Sequence, residues 1–296
     1  TGYNPRAVIA FLRTLEKNYI SNYALIASSD DDLIFKSDYK KKVIYIRKSK
    51  QLDLNEICGL VNHIRNRTNM NKVFIIPSTE ALNRFLLKNR IMLEQCGCII
   101  PLVDEELYIQ ISDKENFCKL CREYSLLIPG EVLLKDYYTE PFAAKPRKYV
   151  SVKGEVLAPV LVKNVNDFGH FMDKYNMDDF IFQKYINGES YYLMYYFSAN
   201  NNVFCLSQKN LIQQLEGKSI IAACCSRMHL EESITDQYIE MFRSIGFKGL
   251  VMIELRKNEK GYYMIEANPR LWGPSQLFCD SGYNFFEFFL YDYGFL

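Results

Sequence analysis

Three side chains near the C-terminal end of the sequence have the chemistry of a divalent-cation site: Glu254, Glu266 and Asn268. They lie in "VMIELRKNEKGYYMIEAN", two apolar runs joined by the polar stretch Lys257 to Gly261, which reads as a β-hairpin. The halves are nearly symmetrical about Lys260, so Glu254 and Glu266 face each other or sit one pair apart. Side chains alternate with period two, which puts Asn268 on the face of Glu266. Two carboxylates in cross-strand contact repel, and burying them unpaired costs more still. A cation is therefore expected between them. Carboxylate and amide oxygens are hard ligands, suited to Mg²⁺ or Mn²⁺ rather than zinc. Two other readings stay open at this point: a solvated outer face, or neutralisation by Arg256 or Arg270. The strand breaks at Pro269, and Arg270 follows just past the ligands, where a phosphate oxygen would lie.

Two kinds of element must hold such a site. Residues 1–111 alternate between helix and strand patterns. "PRAVIAFLRTLEKNY" and "LNEICGLVNHIRNR" are amphipathic helices, "YALIASS" and "KKVIYI" strands, and "KVFIIPS" a buried strand. "STEALNRFLLKNRIML" opens with a capping signature at Ser78 or Thr79. This alternation predicts a parallel sheet in a doubly wound α/β domain, its usual first strand absent ahead of "TGYNPRAV". The basic run "YKKKVIYIRKSK" reads as an edge strand guarded by lysines.

From Asp113 the pattern changes. A helix over "DKENFCKLCREYSLL" leads to a strand in "PFAAKPRKYVSVKG", a helix near "VNDFGHFMDKYN" and a strand over "FIFQKYINGESYYLMYYFSA". Strands at "NVFCLSQKN" and "SIIAACCS" and a helix at "EESITDQYIEMFRSIG" precede the acidic hairpin. Sequential strands with helices on one side predict an α+β unit.

Composition narrows the partners. Apolar residues make up 49% of the 296, enough for a sizeable core. With 36 Lys and Arg against 35 Asp and Glu, net charge gives no sign of nucleic acid or an anionic membrane. No apolar run approaches the roughly 20 residues of a membrane span. The nine cysteines are odd in number and irregularly spaced, which favours reduced thiols and a cytoplasmic location. Cys96, Cys98, Cys118 and Cys121 are read as ordinary buried thiols rather than a zinc site, because the second pair lies in a helical pattern.

Glu254, "EANPR" from Glu266 to Arg270, and Trp272-Gly273 resemble the metal-binding end of ATP-grasp enzymes of the carboxylate–amine ligase kind, related to biotin carboxylase and carbamoyl phosphate synthase. The resemblance covers essentially the whole chain. It implies an α/β pre-ATP-grasp domain over 1–111 and a two-lobed α+β ATP-grasp domain over 112–296. The small lobe would span about 141–190 and the large one about 191–296. It also implies residue roles. Asp113-Lys114 and Lys145-Pro146 match the family's two phosphate lysines, which act as point charges. "QKYINGE" is similar to the adenine hinge. There Gln183 and backbone groups of Lys184, Tyr185 and Ile186 would meet adenine, and Glu189 the ribose hydroxyls. Glu254, Glu266 and Asn268 would hold Mg²⁺, or Mn²⁺, with Arg270 and Lys145 as catalytic cations. Gly217 and Ser219 match part of a further family loop. "PRKYVSVKGEV" departs from the family, since its phosphate loop is usually glycine-rich and this one has only Gly154.

The resemblance further implies an ATP-dependent ligase that activates a small-molecule carboxylate as an acylphosphate for attack by a nucleophile, most often an amine. A small-molecule kinase and a catalytically decayed nucleotide-binding protein are the alternatives. Substrates are expected between the N-terminal loops and the region of Arg227 and Trp272 to Gln276, with Arg227 or Lys209 available for an acidic group. Neither nucleic acid nor membrane is expected as a partner. The aromatic tail "SGYNFFEFFLYDYGFL" is similar to the family's closing helix, and could also bury a homodimer interface.

Overall fold

The computed structural model describes residues 4–49, 51–135, 137–151, 153–214, 220–226 and 232–296. Helix α1 (Pro5–Lys17) starts on a proline, whose missing N–H is no loss in a first turn. Strand β1 (Leu25–Ala27) pairs in parallel with β2 (Val43–Ile46). After α2 (Leu54–Thr68), β3 (Val73–Phe74) pairs in parallel with β4 (Cys98–Ile99) across α3 (Glu80–Lys88) and α4 (Arg90–Gln95). The strands are parallel as the alternation predicted, but among the described residues they form two separate pairs rather than one doubly wound sheet. The expected buried strand at Lys72 to Ser78 has only two paired residues, both half-buried. Lys40, Lys41 and Lys42 lie on a 3₁₀ turn, Asp38–Lys42, ahead of β2 rather than on it. Thr79 is the cap of α3, its Oγ1 accepting from the amide of Leu82 at 3.2 Å.

Helices α5 (Glu105–Ser112) and α6 (Lys114–Glu123) lead into a three-stranded antiparallel sheet, ordered β6-β5-β7. Its strands are β5 (Phe142–Pro146), β6 (Val160–Val162) and β7 (Phe180–Lys184). Phe142, Ala144 and Phe180 pack against Phe168 and Phe171 of α7 (Val165–Lys174). The period of two then turns Ala143, Lys145, Ile181 and Gln183 to the opposite face.

A five-stranded antiparallel sheet follows, ordered β10-β9-β8-β11-β12. It comprises β8 (Glu189–Phe197), β9 (Val203–Gln213), β10 (Ile220–Ser226), β11 (Gly249–Asn258) and β12 (Gly261–Asn268), with α8 (Glu232–Ser244) before the last two. The run expected as one strand from Phe180 is thus two, in different sheets. It breaks at residues 185–188, where a Cβ on Gly188 would stand 2.0 Å from the Lys257 carbonyl oxygen.

Helices cover the larger sheet on both faces rather than one. Phe117 of α6 and Phe242 of α8 pack with Leu193 and Tyr195. On the other face, α1, α9 (Ser275–Asp280) and α10 (Phe285–Asp292) pack with Met194, Tyr196 and Met252. The N-terminal helix therefore shares a core with the C-terminal ones. The aromatic tail is used inside the chain, with Phe285, Phe286 and Phe289 buried in that core. Cys98 and Cys118 lie in different apolar clusters, so the two cysteine pairs do not meet. No helix among the described residues is long and apolar enough to cross a membrane.

Candidate functional site

The acidic hairpin owes its geometry to one residue. From the turn, Asn258 pairs with Gly261 and each step continues in register to Leu255 with Met264. The next pair is Glu254 with Glu266, so Ile265 is an extra residue, a β-bulge. In an unbroken register Glu254 would oppose Ile265, and Glu266 would point to the other face. The bulge puts both carboxylates on one face, and Asn268 joins them two residues on.

Asn268 spans the pair. Its Nδ2 donates to Glu266 Oε1 at 3.0 Å and to Glu254 Oε1 at 3.4 Å. Lys114 Nζ lies 3.4 Å from Glu266 Oε2. Arg270 donates through Nη2 to Asn268 Oδ1 at 2.7 Å. Trp272, fully buried, fixes the segment by donating Nε1–H to the Asn268 carbonyl at 2.9 Å. Of the two arginines read as neutralising candidates, Arg270 reaches the site through Asn268, and Lys114 is the cation on Glu266. Arg256 turns away to the Gly188 carbonyl and Gln213 Oε1.

The electrostatics are asymmetric. Burial, then the charge of Glu266, pushes Glu254 up to about 8. Burial works against ionisation of Glu266 too, but Lys114, the Asn268 amide, Arg270 and Lys145 outweigh it and hold Glu266 well below the usual carboxylate range. Burial likewise pulls Lys114 down, and Glu266, Glu80 and Glu254 more than offset it. The hairpin thus presents a carboxylate whose ionised form its cationic neighbours favour, a second whose ionisation burial and Glu266 oppose, and an amide.

Lys145 arrives from the smaller sheet. It is 5% exposed, and its Nζ donates at 2.6 Å to the carbonyl of Ile265, the bulge residue. Burial, reinforced by Lys114, pulls its pKa down to about 8 against the pull of Cys118 and Glu266. Gln183, on the same face of that sheet, is 1% exposed. Its Nε2 donates to Cys118 Sγ at 3.3 Å, while Oε1 has no partner among the described residues. Beyond it, the amides of Lys184 and Tyr185 are taken by the carbonyls of Gly130 and Pro141, leaving the Ile186 amide without a protein acceptor among the described residues.

Not every expected residue converges. The Lys184 side chain pairs with Glu140 at 3.1 Å, away from the cleft face, so only its backbone borders the hinge. Glu189 is exposed and already accepts from Tyr191 Oη at 2.8 Å and from Lys209 Nζ. That contact, with the Tyr191 hydroxyl next, holds its pKa below the usual range. Lys209 is therefore ion-paired. Gly217, Ser219 and Arg227 lie outside the described residues. The sequence reading passed over Arg84, whose guanidinium meets Glu80, Ser112 and Asp113 and lies over the Tyr149 ring. Its only signal was the spacing of Glu80 and Arg84 on one helix face.

A family model described as the ATP-grasp domain matches residues 111–274, more than half of the chain. The chain belongs to the ATP-grasp family. Among solved structures, N5-carboxyaminoimidazole synthetase from Staphylococcus aureus complexed with ADP superposes with a TM-score of 0.68 at 15% identity, covering 99% of this chain and 75% of that one. The biotin carboxylase domain dimer of Hydrogenobacter thermophilus 2-oxoglutarate carboxylase, in complex with MgADP, ADP and bicarbonate, gives 0.67 at 14% identity, covering 97% and 67%. L-amino acid ligase from Bacillus licheniformis gives 0.61 at 16% identity, covering 83% and 62%. At these identities the likeness establishes the ATP-grasp fold. A search of curated protein sequences returned no match.

Proposed function

We propose that this chain is an ATP-dependent ligase. It activates a substrate carboxylate as an acylphosphate, which an amine or similar nucleophile then attacks. In the first step a carboxylate oxygen bonds to the γ-phosphorus and the bond to the β-phosphate oxygen breaks, releasing ADP. In the second the nucleophile's nitrogen bonds to the acyl carbon, inorganic phosphate leaves, and the nitrogen loses a proton. The observation that carries this reading is the meeting of three elements at the bulge. Glu254, Glu266 and Asn268 come from the hairpin, Lys114 from the start of α6, and Lys145 from β5.

The residues fit both groups such chemistry needs. Two carboxylates and an amide oxygen are hard donors for Mg²⁺, with Mn²⁺ the alternative, and the Asn268 amide hydrogens now face the carboxylates from the cation's side. Magnesium there would neutralise the outer phosphates of ATP. Gln183 Oε1, without a partner among the described residues, suits adenine's exocyclic amine, and the Ile186 amide, with no acceptor among those residues, suits a ring nitrogen. Lys114 and Lys145 would meet phosphate oxygens, and Arg270 the group in transfer, in a site shielded from water. Glu189 would turn from Lys209 to the ribose. Residues 1–111 then serve as the pre-ATP-grasp domain, with about 141–190 and 191–296 as the small and large lobes. A cytoplasmic location goes with this chemistry, and a homodimer is compatible with it.

The test is a screen of carboxylates with amines and amino acids for ATP-dependent phosphate release. An amide product with ADP and phosphate is expected; a stable phosphorylated acceptor would make the chain a kinase instead. Glu266→Ala should abolish Mg²⁺-dependent turnover with the fold intact. Unchanged turnover in that variant removes the assigned site.

A further inference from the structure

We propose that Arg84 is a positioning residue for the nucleotide's phosphates, clamping the loop after β5 against the first turn of α6; this rests on the ATP-grasp ligase reading above. Arg84 sits in α3, in the N-terminal part of the chain. Its guanidinium binds Glu80 Oε1 at 3.0–3.1 Å, Ser112 Oγ at 2.8 Å and Asp113 Oδ1. Its Cζ lies 4.8 Å from the centroid of the Tyr149 ring. The fork is well enclosed, with 19% of the Arg84 side chain and 9% of the Asp113 side chain exposed.

Each contact constrains a different part of the site. Asp113 occupies the cap position of α6, yet its carboxylate does not cap the helix and goes to Arg84 instead. The placement of the first turn, and of Lys114 in it, is thereby tied to α3. Tyr149 belongs to the stretch from Arg147 to Gly154, whose one glycine is at its end. A chain segment rich in glycine can wrap anions with successive backbone N–H groups, some at positive φ. A segment without glycines is held in place by its side chains.

Several such holds are present among the described residues: Ser151 Oγ accepts from the Glu155 amide at 3.1 Å and Arg147 Nε donates to the Asp178 carbonyl at 3.2 Å. Arg147 Nη1 donates to Glu115 Oε2 at 3.3 Å, a largely exposed pair that contributes little. Arg84 under Tyr149 is the stronger hold, because a planar cation already fixed by two carboxylates stacks on a half-buried ring. The same guanidinium thus sets the height of the loop over the cleft and the direction of Lys114 within it. Arg84 itself need not touch the nucleotide.

The experiment uses the full chain and two measurements. One is MgATP affinity, followed through the chain's single tryptophan, Trp272. The other is the rate of tryptic cleavage within the loop at Arg147, Lys148 and Lys153, with and without MgATP. Tyr149→Phe keeps the ring and should match wild type in both. Tyr149→Leu and Arg84→Gln should be cut about fivefold faster and bind MgATP about fivefold more weakly, the factor expected for one lost cation–π contact. Tyr149→Leu decides the matter if Arg84→Gln fails to fold, since Tyr149 lies outside the apolar cores. The proposal is overturned if wild type binds MgATP and Tyr149→Leu equals it in affinity and cleavage. Absence of MgATP binding by wild type would overturn the ligase reading, and this proposal with it.

Discussion

Replacing Lys145 with methionine should stabilise the protein without nucleotide added while removing its use of ATP. The ammonium is 5% exposed and has the Ile265 carbonyl, at 2.6 Å, as its hydrogen-bond acceptor. Burial pulls its pKa from 10.5 to about 8. That gap corresponds to about 3 kcal/mol by which the folded state holds the charged form less well than water does. The sign follows from proton binding. Below pH 8 both states carry the proton and the folded state bears the whole penalty. As pH rises from about 8 towards 10.5 the unfolded chain binds more protons than the folded one, so stability increases across that window. Methionine is of similar length, carries no charge and forfeits one hydrogen bond of about 1 kcal/mol. The expected net gain at pH 7 is about 2 kcal/mol, several degrees in thermal midpoint for a chain of this size. Urea and thermal unfolding at pH 7 and pH 10 would read it, the advantage of the variant shrinking at the higher pH. MgATP should raise the midpoint of wild type and leave Lys145→Met unmoved. A variant less stable than wild type at pH 7, or a difference indifferent to pH, refutes the reasoning.

Two further outcomes follow from the same geometry. Deleting Ile265 should leave Glu266 opposite Glu254 in an unbroken register, remove the carbonyl that accepts from Lys145, and keep the Mg²⁺-dependent change in Trp272 fluorescence; loss of that response would show that the pairing of the carboxylates alone does not make the site. Mg²⁺ and ATP should each bind weakly alone and strengthen one another by the same factor, measured by calorimetry in either order. Equal Mg²⁺ affinity with and without ATP counts against a shared site.

Much of this site was legible in the sequence because its chemistry is local. Glu254, Glu266 and Asn268 lie within one hairpin, and the polar turn at Lys257 to Gly261 fixes their approximate register. Lys114 follows a helix-start signal, and Lys145 interrupts an apolar strand. What periodicity could not give was the bulge itself. A single extra residue changes the face of everything beyond it, and no residue type at Ile265 marks the spot. The break at residues 185–188 carried a visible turn signal in Asn187-Gly188, but continuous apolar runs on either side, one of them buried on both faces, masked the change of sheet. Strands β3 and β4 have two residues each, too short for any period to show. Arg84 was missed for another reason. Apart from Glu80, its partners are 28, 29 and 65 positions away, and only folding brings them together.

The contacts within the site explain how such a concentration of charge is tolerated. Every charged group there already has a partner of its own. Lys114 is on Glu266, Lys145 is on the Ile265 carbonyl, Arg270 is on Asn268, and the Asn268 amide faces both carboxylates. A divalent cation and a polyphosphate entering together would offer the carboxylates a cation and the lysines and Arg270 oxygen acceptors in place of the partners they give up. The carboxylates would exchange an ammonium and an amide for the metal, while Lys114 would exchange a carboxylate oxygen, Lys145 a backbone carbonyl and Arg270 an amide oxygen for phosphate oxygens. Binding is then an exchange of partners rather than the creation of new buried charge, so desolvation, the term that usually defeats buried ion pairs, has largely been met in folding. Either component alone would leave half of the groups without a replacement. The bulge carbonyl makes this exchange possible, because it gives Lys145 a neutral partner it can surrender without stranding a charge.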